Sequence, residues 1–497
     1  MSKTLFNWVF DQVEDENKVI VSSQSGDYSY KDLLAEINKY EALLKQLGDI
    51  KGKRVAMIVP KFSAFLSISF AVNKRGGIFV PISPMLRSED LTSLLDLIQP
   101  HIIFSVDEVN QFSFKSILLK WAENKQVSLF LSSDCTNWSL HSFTGETIPL
   151  EEEPMTLIVC TSGSTGVPKG IVVHLEHLEK AFNSIDTGMK FHKEDHVLIM
   201  PPMTSVAGFC SIVGLMNQNI HVLATESYSI PDVLRLMKNH KVNKIFTSPS
   251  LFRAIYLFAK NADASIFEHL ALVMLVGEPV TDDFIKETQD LNCKIITIFG
   301  MSEAGGLLYS PLDVREGIEW NTIPGVEYKL KDPNDEGIGE IVFKPDFQFG
   351  GYYKRPDLTK EVYNEGWFLS GDLGRINEDK KLELVGRKKD MIKKGGQQII
   401  PGEVEKVIAS HPQVMKAVVV GIPHQVYGEQ VIAFVQGDPS LNKQDIYNYL
   451  TDKLARFKVP DEILFIEEFP IIQGKVDKIT LRKIAMQQLE MNKQGWS

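Results

Sequence analysis

Cysteine is scarce. Four thiols, Cys135, Cys160, Cys210 and Cys293, are spread through 497 residues without a CxxC pair, which argues against a disulfide framework and a cysteine-based zinc site and fits a reducing compartment. Long hydrophobic runs are missing too: no stretch approaches the ~20 apolar residues of a membrane span. The opening MSKTLFNWVFDQVEDENK turns acidic before an apolar run of signal-peptide length develops. No integral membrane segment is expected, and the cytoplasm is the expected location. Basic residues do not dominate, with 53 Lys and Arg against 64 Asp and Glu and a net charge of −11. Nucleic acid therefore finds no global electrostatic support, and an anionic ligand must be held locally. No internal repeat or low-complexity tract stands out.

What is present is core material. The chain is 44% hydrophobic, 9% aromatic and 24% charged, ordinary for a globular protein, and its length is about three times that of a ~150-residue domain. Leu33, Leu34, Ile37, Tyr40, Leu43, Leu44 and Leu47 recur at helical spacing behind a capping box of Ser29 and Asp32. Short β-branched runs then alternate with helical stretches at Val55–Val59, Leu157–Cys160, Val197–Met200, Ile220–Ala224, Lys244–Thr247, Leu272–Val276 and Lys294–Ile298, the pattern of helix-covered parallel sheets. From about Gly325 shorter strands separated by Gly, Pro and Asp take over. The expected fold is α/β: a large N-terminal domain of stacked, helix-covered sheets with a β-rich subdomain, then a small α+β C-terminal domain. The boundary is expected at the basic stretch GRKKDMIKKGG, giving domains 1–388 and 389–497.

TSGSTGVPKG, Thr161 to Gly170, follows the apolar run LIVC. Thr161, Ser162, Gly163, Ser164, Thr165 and Gly166 let backbone amides and hydroxyls approach a phosphate chain closely, and Lys169 adds positive charge. The P-loop pattern G-x-x-x-x-G-K-[ST] fails because Pro168 precedes Lys169 and Gly170 follows it, and G-x-G-x-x-G fails as well. From these residues alone, a polyphosphate cradle and a plain Ser/Gly turn both remain open.

Five segments in order resolve that choice by resemblance. TSGSTGVPKG, FGMSE (Phe299 to Glu303), GWFLSGDLG (Gly366 to Gly374), GRKKDMIKKGGQQIIPGEVE and GKVDK (Gly474 to Lys478) are together similar to the adenylate-forming superfamily, which holds acyl-CoA and aryl-CoA synthetases, adenylation domains of peptide synthetases, and luciferases. The resemblance covers essentially the whole chain, most like a stand-alone acyl- or aryl-CoA ligase. It implies two half-reactions: ATP and a carboxylic acid give an acyl-adenylate and pyrophosphate, then a thiol displaces AMP. ATP, Mg²⁺ and coenzyme A are the implied cofactors.

The resemblance also implies roles. Lys475 neutralises the attacking carboxylate and the α-phosphate, Glu303 binds Mg²⁺, and Ser302 keeps a hydroxyl near the α-phosphate. Phe299 stacks on adenine, Gly300 and Met301 adjoin it, and Gly277, Glu278 and Pro279 of VGEPV line the base. Asp372 accepts from the ribose hydroxyls, with Arg387 reaching the sugar or its phosphate. Lys389 takes the hinge position about which the C-terminal domain would swing. Lys394, Gly395 and Gly396 are implied at the CoA site. A separate carrier protein's phosphopantetheine is the alternative acceptor, and a noncatalytic acyl- or AMP-binding protein is a further reading.

Two departures bear on the substrate. In MPPMTSVAGF, Thr204 and Ser205 stand where the family often has an aromatic and His, at the gate of the acyl pocket. After the phosphate motif, His174-Leu175 replaces a hydroxyl-His pair, and His174 reads as structural. Ser205, Gly208, Val276, Gly305 and Gly306 are the expected acyl-pocket residues. They are small or apolar, with no fixed Asp to meet an α-amino group, and so favour a fatty or aryl acid.

Overall fold

The computed structural model describes residues 3–162, 168–227, 229–451, 453–472 and 475–494. The chain forms two compact units. The first comprises Met1–Val280, Phe284–Val326 and Pro345–Gly366, and the second Thr281–Asp283, Glu327–Lys344 and Trp367–Ser497.

The β-branched runs of the first unit assemble into two sheets. One has nine strands in the order Asn321–Thr322, Gly305–Ser310, Lys294–Met301, Leu272–Val276, Lys244–Thr247, His196–Ile199, His221–Ala224, Val19–Ser23 and Gly26–Ser29. It is parallel from Lys294–Met301 to Val19–Ser23, with antiparallel additions at both edges. The other has seven, in the order Pro168–Val173, Leu157–Ser162, Ile78–Pro81, Arg54–Ile58, Ile102–Val106, Ser128–Ser132 and Ser139–Ser142. Helix Tyr30–Lys45 begins at the expected capping box, with Ser29 and Asp32 bonded reciprocally.

Helix Phe62–Lys74 is not legible in the sequence by periodicity. FSAFLSISFAVN is buried all round, so no polar face supplies a period. Helix Val206–Asn217 is nearly as buried, and its Phe209 meets Phe65 of the first helix and Phe79 of the seven-stranded sheet. Two serines of helix Phe62–Lys74 find partners, Ser69 Oγ donating to the Leu66 carbonyl at 2.8 Å and Ser67 Oγ to Glu36 at 3.2 Å, whereas the buried Ser63 Oγ has none among the described residues.

At one end of the nine-stranded sheet three histidines come together. His196 Nδ1 lies 2.9 Å from His221 Nδ1, His221 Nε2 lies 2.8 Å from Ser22 Oγ, and His240 Nε2 lies 3.3 Å from Asp27. Burial, then repulsion from His196 and His240, holds the His221 imidazole down at about 4, against the weaker opposing pull of Asp27. Burial, then His240, also lowers His196, partly offset by Asp195. Lys18 adds to the depression of both. A depressed histidine stabilises the fold above its unfolded pKa of about 6.5, and that contribution is lost as pH falls toward the folded value. Urea midpoints are therefore expected to fall between pH 7 and pH 5, and His221→Gln to flatten that fall. Parallel pH profiles for the two proteins would remove the cluster as its source.

In the second unit, strands Glu327–Lys331, Gly339–Lys344, Trp367–Ile376 and Leu382–Arg387 form an antiparallel sheet. A second sheet runs Gln397–Ile399, Ile392–Lys394, Gly428–Gly437 and Val414–His424, with Glu462–Phe465 parallel to Gly428–Gly437. Its two faces carry separate cores, Ile392, Val404, Val419 and Ile446 on one and Val420, Phe434, Leu481 and Ala485 on the other, as alternating side chains of a doubly covered sheet require.

The site-bearing elements of the first unit are β1 (Leu157–Ser162), β2 (Pro168–Val173), α1 (Leu175–Met189), α2 (Val206–Asn217), α3 (Pro249–Ala262), β3 (Lys294–Met301) and β4 (Gly305–Ser310). Those of the second are β5 (Trp367–Ile376) and β6 (Leu382–Arg387).

Candidate active site

The ends of the TSGSTGVPKG segment are strand. β1 and β2 form an antiparallel hairpin with Thr161 opposite Lys169 and Ser162 opposite Pro168. The ladder thus sets the Lys169 backbone, while Gly163, Ser164, Thr165 and Gly166 lie outside the described residues, as does the Ser162 side chain. Lys169 Nζ sits 5.0 Å from the centroid of the Tyr352 ring, within cation–π range.

FGMSE forms the end of β3 and the turn into β4. Phe299 and Met301 lie in β3 and pair across the hairpin with Leu308 and Gly305, while Gly300 pairs with Gly306. A Cβ at Gly300 would meet the Gly305 carbonyl oxygen at 2.3 Å, which requires glycine there. The Phe299 ring faces Trp320 edge-on at 6.4 Å. Ser302 and Glu303 occupy the turn, and the Tyr352 hydroxyl donates to Glu303 Oε1 at 2.8 Å. Lys169 and Glu303 therefore meet on one tyrosine, 183 and 49 residues from it in sequence. Burial, then the Glu303 charge, pushes the Tyr352 phenol well above the usual tyrosine range, so it remains a donor.

α1 packs directly on this turn. A Cβ on Gly306 would come within 2.4 Å of Ser184 Oγ, which accepts from the Gly306 amide at 3.1 Å, and one on Gly305 would meet Ala181 at 3.3 Å. Both glycines are thus used for helix packing. His177 of α1 is 1% exposed and tilted on Phe347 at 4.6 Å. Burial, then His174, lowers it to about 3, so it is a neutral, buried ring. His174 is at the N-cap of α1 without a side-chain capping bond.

Ser205 caps α2: its hydroxyl accepts from the Gly208 amide at 3.1 Å and donates to the Pro202 carbonyl at 2.7 Å. A Cβ at Gly208 would lie 2.2 Å from that same carbonyl oxygen. Val276 ends its strand, and Gly277 follows at φ 86° with open space where a Cβ would be. Glu278 accepts from the Ser250 amide and hydroxyl at 3.1 and 2.8 Å, a carboxylate at the positive end of α3. Its side chain is thereby turned to the helix, and the flanking Gly277 and Pro279 are exposed.

In the second unit Asp372 and Arg387 face each other across β5 and β6, with Arg387 Nε 2.8 Å from Asp372 Oδ1. Asp372 is 7% exposed and its amide donates to Ser370 Oγ at 3.0 Å. Beside it, Glu340 accepts from the Gly371 amide at 3.1 Å and pairs with Lys388 at 2.6 Å. Lys389 sits in the 3-10 turn Lys388–Asp390, and Asp390 pairs with Lys478 at 3.6 Å. Gly395 and Gly396, at φ 57° and 82°, form the two-residue turn between Ile392–Lys394 and Gln397–Ile399, which demands positive φ at both places. Lys394 pairs with Asp461 at 2.5 Å. Lys475 lies in the short strand Lys475–Val476, opposite Ile472; its side chain is outside the described residues.

Glu303 and Ser302, neighbours in the turn, offer the hard oxygen that Mg²⁺ prefers, and no group of three or more His, Cys, Asp or Glu able to hold a metal occurs among the described residues. A cation here would complete its shell with phosphate oxygens and water, as Mg²⁺ does.

The fold is that of the adenylate-forming enzymes, shared with ATP-bound MatB from Rhodopseudomonas palustris (TM-score 0.83, 24% identity, 97% of this chain and 99% of that one). The chain belongs to the AMP-binding enzyme family: residues 9–353 match that family and residues 403–473 match the AMP-binding enzyme C-terminal domain. A putative acyl-CoA ligase of Bacillus subtilis, YdaB, is 28% identical over 94% of this chain and 96% of its own. The long-chain-fatty-acid–CoA ligase FadD13 of Mycobacterium tuberculosis is 26% identical over 92% of each. No helix among the described residues is long and apolar enough to cross a membrane.

Sequence reading missed Tyr352 and His177. Tyr352 sits in GGYYKRP, an unremarkable turn-like stretch, and nothing local announces that its hydroxyl reaches Glu303.

Proposed function

We infer that this chain activates a fatty or aryl acid with ATP and transfers the acyl group to coenzyme A in the cytoplasm. It is an AMP-forming acid:CoA ligase that uses ATP, Mg²⁺ and coenzyme A. In the first half-reaction a carboxylate oxygen bonds to the α-phosphorus and the bond to pyrophosphate breaks; in the second, the thiol sulfur bonds to the acyl carbon and AMP leaves. The observation that carries the reading is the meeting of Lys169 and Glu303 on Tyr352, inside the span that matches the AMP-binding enzyme family.

Within this reading Lys169 and the Thr161–Gly166 amides and hydroxyls hold the phosphates. Glu303 would hold Mg²⁺ with the Ser302 hydroxyl beside it, and the metal, when bound, neutralises phosphate charge. Phe299, Gly300, Met301, Gly277, Glu278 and Pro279 flank the base, and the buried Asp372 with Arg387 takes the ribose. Because the Glu278 carboxylate is committed to α3, that segment serves through its backbone. Ser205, Gly208, Val276, Gly305 and Gly306 border the acyl group, and Lys394, Gly395 and Gly396 serve coenzyme A. Lys389 is the hinge between a domain of residues 1–388 and one of 389–497.

Acid-dependent ATP–pyrophosphate exchange across fatty, aryl and amino acids tests the reading. Exchange is expected with a fatty or aryl acid, followed by AMP release on adding coenzyme A alone. No exchange with any acid, while AMP still binds, would leave a noncatalytic binding protein. The lysine loop GKVDK resembles that of peptide synthetases and favours a carrier protein as second candidate; AMP release that requires an added carrier would select it.

A further inference from the structure

We propose that Tyr352 is a positioning residue of the adenylation site, orienting the Glu303 carboxylate through its hydroxyl and seating the Lys169 ammonium on its ring. This rests on reading Glu303 as the metal-facing carboxylate and Lys169 as the phosphate-facing cation.

Tyr352 is held on every side. It is 8% exposed, its ring meets Phe349 edge-on at 5.4 Å, and its amide donates to Thr359 Oγ1 at 2.9 Å. Its backbone lies along the outer edge of β2: Tyr352 bridges Ile171, the Val172 amide donates to the Gly351 carbonyl at 3.0 Å, and the Tyr353 amide to the Gly170 carbonyl at 2.7 Å. A Cβ at Gly350 would strike the Val172 carbonyl oxygen at 2.4 Å, so the approach of the two chains depends on that glycine. Next along the chain, Tyr353 donates to Glu151 at 2.5 Å, and Glu151 is paired with Arg54, which is 0% exposed. The tyrosine is thus tied through backbone to the strand that carries Lys169 and through its neighbour to an ion pair whose arginine is buried.

The chemistry follows from that rigidity. A carboxylate has two oxygens; the phenol occupies Oε1 and leaves Oε2 as the donor toward a cation. The ring's negative face attracts the ammonium without giving it a proton acceptor, so Lys169 keeps its N–H groups for phosphate oxygen. One fixed side chain therefore supports a cation and an anion that must act on the same triphosphate, as outer-shell partners of metal ligands do.

Two substitutions separate the functions. Y352F removes the hydroxyl and keeps the ring, and Y352L removes both. For Y352F, Mn²⁺ affinity, read by electron paramagnetic resonance with a nonhydrolysable ATP analogue, is expected to weaken about 10-fold, the half-saturating Mg²⁺ for exchange to rise in parallel, and KM for the acid to stay unchanged. Y352L should add a rise in KM for ATP. Thermal unfolding of Y352F should match the parent, since phenylalanine keeps the packing on Phe349. E303Q is the control. If E303Q binds Mn²⁺ like the parent, the reading of Glu303 falls. If E303Q loses the metal while Y352F binds it normally, the tyrosine proposal alone is overturned. Equal KM for ATP in Y352F and Y352L would remove the ring from the account of Lys169.

Discussion

Lys475→Ala is expected to lower acid-dependent ATP–pyrophosphate exchange by roughly 10²–10³-fold, the loss typical of removing one preorganised charge from a site where charge develops. Thioester formation from a supplied acyl-adenylate should be largely spared. The asymmetry follows from the two steps. In adenylation an anionic carboxylate must approach an anionic α-phosphate, and an ammonium that contacts both lowers that repulsion in the transition state. In thiol transfer the attacked carbon is already part of a mixed anhydride, and the repulsion is gone. Lys475 begins a two-residue strand paired with Ile472, a backbone anchor that gives a long side chain a defined origin. Lys475→Arg keeps charge but presents a planar fork in place of a compact ammonium, and is expected to recover only part of the activity. Equal losses in the exchange and thioester assays would remove Lys475 from the first step.

Arg54→Ala is expected to destabilise the first unit by about 3–5 kcal/mol, the usual consequence of removing one partner of a buried, hydrogen-bonded ion pair. Arg54 opens the strand Arg54–Ile58 with its guanidinium buried. Nε donates to the carbonyls of Ile98 and Gln99 at 2.8 and 3.1 Å, Nη2 to those of Gln99 and Pro149 at 3.0 and 3.2 Å, and Nη1 pairs with Glu151. Its backbone amide donates to His101 Nδ1 at 3.0 Å, and burial, then the Arg54 charge, holds His101 down at about 4. Alanine would leave these carbonyls without their donor and Glu151 without its cation. A double variant, Arg54→Met with Glu151→Leu, should recover part of the loss because no lone charge remains. A urea unfolding shift below about 1 kcal/mol for Arg54→Ala, in the range of an exposed pair, would show that this cluster is solvated. Because Tyr353 is tied to Glu151, Arg54→Ala should also raise the Mg²⁺ requirement in the manner of Y352F.

Several elements were legible because their signal is local. The capping box at Ser29 and Asp32 needs only residues three apart, and it is present. The β-branched runs from Val55 to Lys294 become strands with boundaries moved by a few residues. Helix Phe62–Lys74 was hidden for the opposite reason: burial on every face erases the contrast that periodicity reads. The segment TSGSTGVPKG reads from composition as a Ser/Gly loop. Its ends are strand, because alternating partners in the antiparallel ladder outweigh the loop preference of Ser and Gly.

By itself the sequence determined the class of reaction. The five motifs that carry the resemblance are short runs of neighbouring residues, so their order along the chain suffices to reveal the family. Tertiary structure alone decided how those residues are supported. Lys169, Glu303 and Tyr352 meet only because β2, the turn after β3 and the segment after Gly350 pack together. It also decided that Glu278 faces a helix terminus and that Gly305 and Gly306 seat a helix. Such contacts join residues far apart in the chain, and no local pattern records them.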